Sequence, residues 1–133
     1  MDTEDYFEAN RYVKELKPSD FKKGVPWELK ISGDSKCKNA MVLFYAPWCG
    51  HCKQVKKPWS EAATLSGFCD FYAFNCERYK NHLSKIKDDI PHLVTGFPTI
   101  IIYKNGSPEE YYNGERTVKG FSQTCMDICH HKG

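Results

Sequence analysis

The chain has 133 residues, a length that suits one domain with a core able to support itself. Its formal charge is only +2, with 19 basic residues scattered among 17 acidic ones, too even a balance for a nucleic-acid surface. No apolar run approaches a membrane span. The acidic start Met1-Asp2-Thr3-Glu4-Asp5 lacks the basic-then-apolar order of a secretory signal. The end His130-His131-Lys132-Gly133 carries no retention tetrapeptide. On that reading the chain is either a trimmed piece or a protein that works where no such address is required.

In chain order, residues 1–10 are expected to be flexible or loosely docked, leaving residues 11–133 as the single folded domain. Tyr12-Val13-Lys14-Glu15-Leu16 alternates and reads as a first strand. Pro18-Ser19-Asp20-Phe21 can open a short helix, with Ser19 or Asp20 as its cap. Trp27, Leu29 and Ile31 alternate with charged residues, which suggests an edge strand or an extended insertion. Met41 to Ala46 is short, apolar and rich in β-formers, so it reads as a buried strand, stopped by Pro47. A helix is expected over 49–65, kinked at Pro58, because a mid-helix proline removes a hydrogen bond and crowds the preceding turn.

Phe68 to Asn75 reads as the next buried strand. Glu77 to Ile90 follows as a polar helix with Tyr79, Leu83, Ile86 and Ile90 on one face. Thr99 to Tyr103 is strand-like, Asn105-Gly106 is a strong hairpin turn, and Glu110 to Asn113 returns as an edge strand. Val118 to Cys129 closes the chain as a helix. The order is β-α-β, then α, then a β-hairpin, then α. No internal repeat or low-complexity segment appears, so one catalytic unit is expected.

Chemistry concentrates in Trp48-Cys49-Gly50-His51-Cys52, where two cysteines sit two residues apart between the central strand and the helix. Cys49 falls at or near the helix N-terminus, where unpaired backbone N–H groups and the positive end of the dipole favour a thiolate. Thiols so placed have a pKa of roughly 3.5–7.5 instead of about 8.5. Cys52 lies one helical turn on and can attack the sulfur of a mixed disulfide. The rival reading is half of a tetrahedral zinc site, whose two further ligands could come from Cys125, Cys129, His130 and His131. Zinc knuckles usually carry the pair in a short turn, so the strand–motif–helix context favours redox chemistry.

The run Phe44-Tyr45-Ala46-Pro47-Trp48-Cys49-Gly50-His51-Cys52-Lys53 resembles the active-site segment of the protein disulfide isomerase branch of the thioredoxin superfamily. Gly96-Phe97-Pro98-Thr99, about fifty residues later, resembles that family's cis-proline loop. Tyr112-Asn113-Gly114-Glu115-Arg116 matches its late Tyr-x-x-x-Arg run. The resemblance covers roughly residues 40–130 and implies an α/β thioredoxin fold, a central mixed β-sheet flanked by helices. It also implies that Cys49 and Cys52 are the catalytic redox pair and that no metal, flavin or nucleotide cofactor takes part.

The same resemblance assigns the surrounding residues. Gly50 and His51 tune the pair: an imidazole near the thiolate stabilises the reduced form and makes the disulfide a better oxidant. A Gly-His centre belongs with potentials of about −180 mV, a Gly-Pro centre with about −270 mV. Pro98 corresponds to the cis-proline that faces the sulfurs, where the bent backbone can pair with an extended peptide. Trp48 and Phe97 would add apolar contacts for substrate. Arg116 matches an arginine thought to lower the pKa of the second cysteine during release. One departure stands out: the family usually buries an acid six residues before the first cysteine, and here that residue is Leu43. The lysine that commonly accompanies it corresponds to Ala73.

The seven cysteines are too many for the motif alone and odd in number. Cys125 and Cys129 fall in the helical stripe Val118, Phe121, Cys125, Ile128, Cys129 and read as small core hydrophobes. Cys69 and Cys76 flank a buried strand. Cys37, in the polar loop 32–39, is the best candidate for an exposed, non-core thiol, and a structural bridge among these five cysteines is the less favoured alternative.

These observations point to a thiol–disulfide oxidoreductase of the disulfide isomerase type. Its partners would be cysteine-containing unfolded or extended polypeptides and a redox partner, glutathione or an oxidase or reductase. The motif favours an oxidising compartment such as the endoplasmic reticulum lumen. Two alternatives remain: a thioredoxin-like reductase, and a peptide-holding module whose cysteine pair is vestigial or binds metal.

Overall fold

The structure, a computed structural model, describes residues 5–129. Its central sheet has five strands: β1 (Val13–Glu15), β4 (Asn39–Tyr45), β5 (Asp70–Asn75), β6 (Thr99–Lys104) and β7 (Ser107–Tyr111). Their spatial order is β1-β5-β4-β6-β7. β1, β5 and β4 run parallel, whereas β6 and β7 are antiparallel to their neighbours. α1 (Gly50–Leu65) and α3 (Val118–Cys129) cover one face. The other is covered by α2 (Lys80–Asp89) and a small hairpin of β2 (Phe21–Lys22) and β3 (Val25–Leu29).

β4 lies at the centre because it is apolar on both sides. Met41 to Tyr45 have no exposed surface, and their side chains alternate between the two cores. On the α1 side Trp59 sits edge-on between Phe71 and Phe121, at centroid distances of 5.1 and 4.9 Å. These contacts clamp the middle of α1 to β5 and α3. α1 runs through Pro58, whose ring cannot donate a backbone hydrogen bond to the preceding turn.

Most expected elements are present, and the differences have physical causes. Of the residues expected in an edge strand or extended insertion, Trp27 and Leu29 belong to an antiparallel hairpin separate from the central sheet, Ile31 falls beyond it, and Leu29 is buried against the second core. That hairpin is tied to the β6–β7 turn by a 2.8 Å bond from Leu29 N–H to Gly106 O. Asn105 and Gly106 both have positive φ, 52° and 89°, as a two-residue turn of the twisted hairpin class requires. A Cβ at position 106 would lie 2.6 Å from Leu29 O, so only glycine fits. Because that turn is tight, β7 begins at Ser107, earlier than the strand expected from Glu110.

The loose N-terminal segment expected over 1–10 is corrected for its described part. Phe7 is 2% exposed and belongs to the α1-side core. The Tyr6 ring stacks on Tyr45 at 4.5 Å, and its hydroxyl donates to Pro47 O at 2.7 Å. Two aromatic side chains supply enough apolar surface to dock a short segment. Residues 1–4 lie outside the described part.

The exposed, non-core thiol expected at Cys37 is corrected too, because the residue is half-buried and bridged. Cys37 is bonded to Cys129, with Cα atoms 5.6 Å apart. Cys129 is therefore a cross-link at the end of α3, while Cys125 is a buried free thiol, as the stripe implied. Cys69 and Cys76, at the two ends of β5, are buried as well.

Candidate active site

β4 delivers the chain to the C-terminal end of the central parallel strands, and Ala46-Pro47 carry it outward to Trp48. The N–H of Cys49 bonds Ala46 O at 3.1 Å, which closes the turn, and Cys49 becomes the N-cap of α1. Its sulfur accepts the otherwise orphaned N–H of Cys52 at 3.4 Å. Cys49 is half-buried, while Cys52 has no exposed surface. Only the first sulfur is within reach of another molecule, and the second lies directly behind it.

The loop before β6 faces Cys49 from the other side. The Phe97–Pro98 peptide is cis, and the Cys49 thiol donates to Phe97 O at 3.5 Å. Pro98 is buried and Phe97 half-buried. Trp48 is 55% exposed and meets Phe97 edge-on at 6.0 Å. Its indole N–H donates to Glu77 Oε1 at 2.7 Å, so the ring is held in place although exposed. Trp48 and Phe97 together form an apolar shelf beside the reactive sulfur.

Burial, with a smaller contribution from the hydrogen bond with Cys49, pushes the Cys52 thiol up to about 12. A backbone hydrogen bond from the Ala46 region and the charge of Arg116 act in the opposite direction. Arg116 itself is exposed in the segment between β7 and α3, so its influence on Cys52 is exerted through space. Gly50 and His51 are exposed on the first turn of α1, and nothing lies within 4 Å of where a Gly50 side chain would start.

Leu43 is fully buried, paired in register with Ala73 on β5, which is paired in turn with Glu15 on β1. One row across the sheet thus reads Glu15, Ala73, Leu43. The centre of the row is apolar, but its end is a carboxylate that sequence reasoning did not single out. Glu15 Oε2 accepts from the Tyr45 hydroxyl at 2.6 Å and from Phe7 N–H at 3.0 Å. Its Oε1 is buried without a partner among the described residues. Burial raises Glu15 to about 7, against the two hydrogen bonds that favour its charged form. The alternation of the first strand held the signal: Val13 and Glu15 share a face, and Val13 is apolar.

The zinc reading of the Cys49/Cys52 pair fails on placement. Cys125 and Cys129 lie at the opposite end of the sheet, where Asn39 at the start of β4 donates to Ile128 O at 2.7 Å. Seven residues of strand, about 23 Å at 3.3 Å each, separate that end from the motif. His130 and His131 lie outside the described residues.

The family profile described as Thioredoxin matches residues 13–127, most of the chain. The chain belongs to the thioredoxin family. Protein disulfide-isomerase like 2-2 of Arabidopsis thaliana is 36% identical over 112 residues, 84% of this chain and 22% of that protein. Protein disulfide-isomerase MPD1 of Saccharomyces cerevisiae is 31% identical over 102 residues, 76% of this chain and 28% of that protein. The chain thus spans less than a third of these relatives. Among solved structures, the J-Trx1 fragment of ERdj5 superposes with a TM-score of 0.72 at 22% identity, covering 95% of this chain and 56% of that one. The oxidised thioredoxin of Plasmodium falciparum superposes at 0.59, with 22% identity and 88% and 98% coverage. At such identities the structural matches speak for the thioredoxin fold alone. No described helix is long and apolar enough to cross a membrane.

Proposed function

We propose that this chain is a thiol–disulfide oxidoreductase of the protein disulfide isomerase type, acting on cysteines of unfolded or extended polypeptides. The observation that carries this reading is the asymmetry of the pair: Cys49 half-exposed at the helix N-cap, Cys52 buried one turn behind it. The Cys49 thiolate attacks one sulfur of a substrate disulfide, and the other substrate sulfur leaves as a thiolate. The Cys52 thiolate then attacks Cys49, closing the Cys49–Cys52 disulfide and releasing the substrate reduced. Run in reverse, the same steps place a disulfide in the substrate. If a second substrate cysteine thiolate, instead of Cys52, attacks the substrate sulfur of the mixed disulfide, a new substrate disulfide forms, Cys49 leaves as a thiolate, and the net result is isomerisation.

Trp48 and Phe97 are the substrate's apolar platform, and the Phe97–Pro98 backbone is the ledge beside which an extended chain lies. His51 and Gly50 leave the mouth of the site open, and His51 sets the redox balance toward oxidation. Arg116 eases loss of the Cys52 proton when the mixed disulfide is resolved. Glutathione or a partner oxidase or reductase resets the pair. The Cys37–Cys129 bond suits an oxidising compartment.

Oxidative refolding of a reduced, disulfide-containing substrate in glutathione buffer tests the proposal. The wild type is expected to accelerate recovery of native disulfides, Cys49→Ser to abolish that acceleration, and Cys52→Ser to accumulate mixed disulfides. Equal acceleration by Cys49→Ser would leave a peptide-holding module as the better reading.

A further inference from the structure

At the end of the sheet remote from Cys49, four cysteines converge. Cys37, in the loop before β4, is bonded to Cys129, the last residue of α3. Cys125 lies one helical turn before Cys129, and Cys69 immediately precedes β5. The sulfurs of Cys69, Cys125 and Cys129 all lie within 4.8 Å of one another. The sulfur of Cys37 is one bond from this triad. Cys69 and Cys125 are buried free thiols that hydrogen-bond each other. A small core hydrophobe at one of these positions would need no explanation. Four sulfurs from three chain segments meeting at one point, none used by the exchange chemistry, do need one.

We infer that this cluster, with its disulfide opened, is a tetrahedral thiolate site for a soft divalent metal ion of the zinc class. Zinc takes four thiolates at about 2.3 Å, so the sulfurs lie about 3.8 Å apart, close to the spread already present. Cys125 and Cys129 supply two ligands from one helix face, four residues apart. Cys37 and Cys69 supply two more from loops that enter neighbouring strands, β4 and β5. All three segments are anchored beside the cluster. Asn39 Nδ2 donates to Ile128 O at 2.7 Å, and Asp70 Oδ2 accepts from Ser35 Oγ at 2.9 Å and Lys36 N–H at 3.1 Å. An all-sulfur donor set excludes the hard cations and selects zinc among common divalent ions.

The closed disulfide and the metal are mutually exclusive, because the closed form offers only Cys69 and Cys125. A dithiol reductant opens the bond: it gives two electrons and two protons, leaves as its own disulfide, and frees the Cys37 and Cys129 thiols. Binding of one zinc ion then releases four protons and leaves a site of charge −2. Cys37 and Cys129 are half-buried, which leaves the bond accessible to the reductant. The molecule would thus carry a redox-gated metal site at the end opposite its catalytic pair.

Cobalt(II) is the probe, used on the full chain with Cys49→Ser and Cys52→Ser so that the active-site thiols cannot contribute. The protein is reduced with dithiothreitol, freed of it without air, and titrated. One equivalent of cobalt is expected to give the intense visible bands of a tetrahedral thiolate complex, displaced by zinc and absent from the disulfide-closed protein. Adding Cys37→Ser should weaken binding at least tenfold, and adding Cys125→Ala should weaken it further. Absence of the tetrahedral spectrum from the reduced protein, or unchanged affinity in the Cys37→Ser variant, would overturn the assignment. X-ray absorption of the zinc form provides a reading that needs no cluster variant. Four sulfur neighbours support the site, and any smaller number overturns it.

Discussion

Cys49 and Cys52 differ in environment more than in sequence position, and that difference governs reactivity. The first is half-open at a helix N-cap, the second buried, with its thiol pushed up to about 12. In the reduced protein at neutral pH, Cys49 is expected to be alkylated well before Cys52, Cys69, Cys76 and Cys125. Mass mapping of the first adduct checks this, and a first label on any buried cysteine would refute it. The same contrast bears on substrate release, since Cys52 must lose its proton before attacking Cys49. Leu43 offers no local acceptor, and the backbone of Glu15 stands two strands from that of Leu43, about 10 Å, with its carboxylate engaged by the Tyr45 hydroxyl and Phe7 N–H. Mixed disulfides should therefore decay slowly at neutral pH and faster as pH rises toward the Cys52 value. Leu43→Glu should speed that decay several-fold, at a cost of several kcal/mol in stability for an unpaired buried carboxylate. Unchanged decay in a folded Leu43→Glu protein would mean that proton removal is not limiting.

Glu15 makes its own contribution to the pH dependence of stability. Its pKa is raised from 4.5 to about 7 in the folded protein, so between those values the folded state holds a proton that the unfolded chain has released. Stability is thus undiminished below about pH 4.5 and falls as pH rises through about 7, by about 3 kcal/mol in all. Glu15→Gln should flatten denaturation midpoints measured across that window. An equally steep profile in the variant would place the proton elsewhere.

At the scale of elements, Trp59 is the largest of the five buried side chains that hold α1 to the sheet. Trp59 packs edge-on against Phe71 and Phe121 and has no exposed surface. Trp59→Ala should cost about 3–5 kcal/mol, read as a drop in urea midpoint, because the cavity cannot close between a sheet and a second helix. The strands and helices were legible wherever periodicity was strong. The five fully buried residues of β4, the Asn-Gly turn and the 118–129 helix all appear as expected. What local pattern could not show was long-range pairing. Cys37 and Cys129 are 92 residues apart, and a polar loop next to one of them gives no sign of the other. The docking of Tyr6 and Phe7 escaped notice for the same reason, since their partners Tyr45 and Glu15 lie in separate strands.

For the whole molecule, the two ends of the sheet carry different sulfur chemistry. The motif end holds a dithiol facing solvent through a half-open cysteine, and the far end holds a cross-link backed by two buried thiols. Residues of the motif, the Phe97–Pro98 loop and the Arg116 region were readable from sequence as separate segments, and the fold brings the first two into hydrogen-bonding contact. The Glu15–Ala73–Leu43 row could only emerge once strand order and register were known. The reduction potential of the Cys49–Cys52 couple, read by mass spectrometry so that Cys37–Cys129 does not interfere, tests the isomerase-type account most directly. A value of about −180 mV is expected, falling by tens of millivolts in His51→Pro. A wild-type value of about −270 mV, unchanged by that substitution, would contradict the account and mark the chain as a reductase.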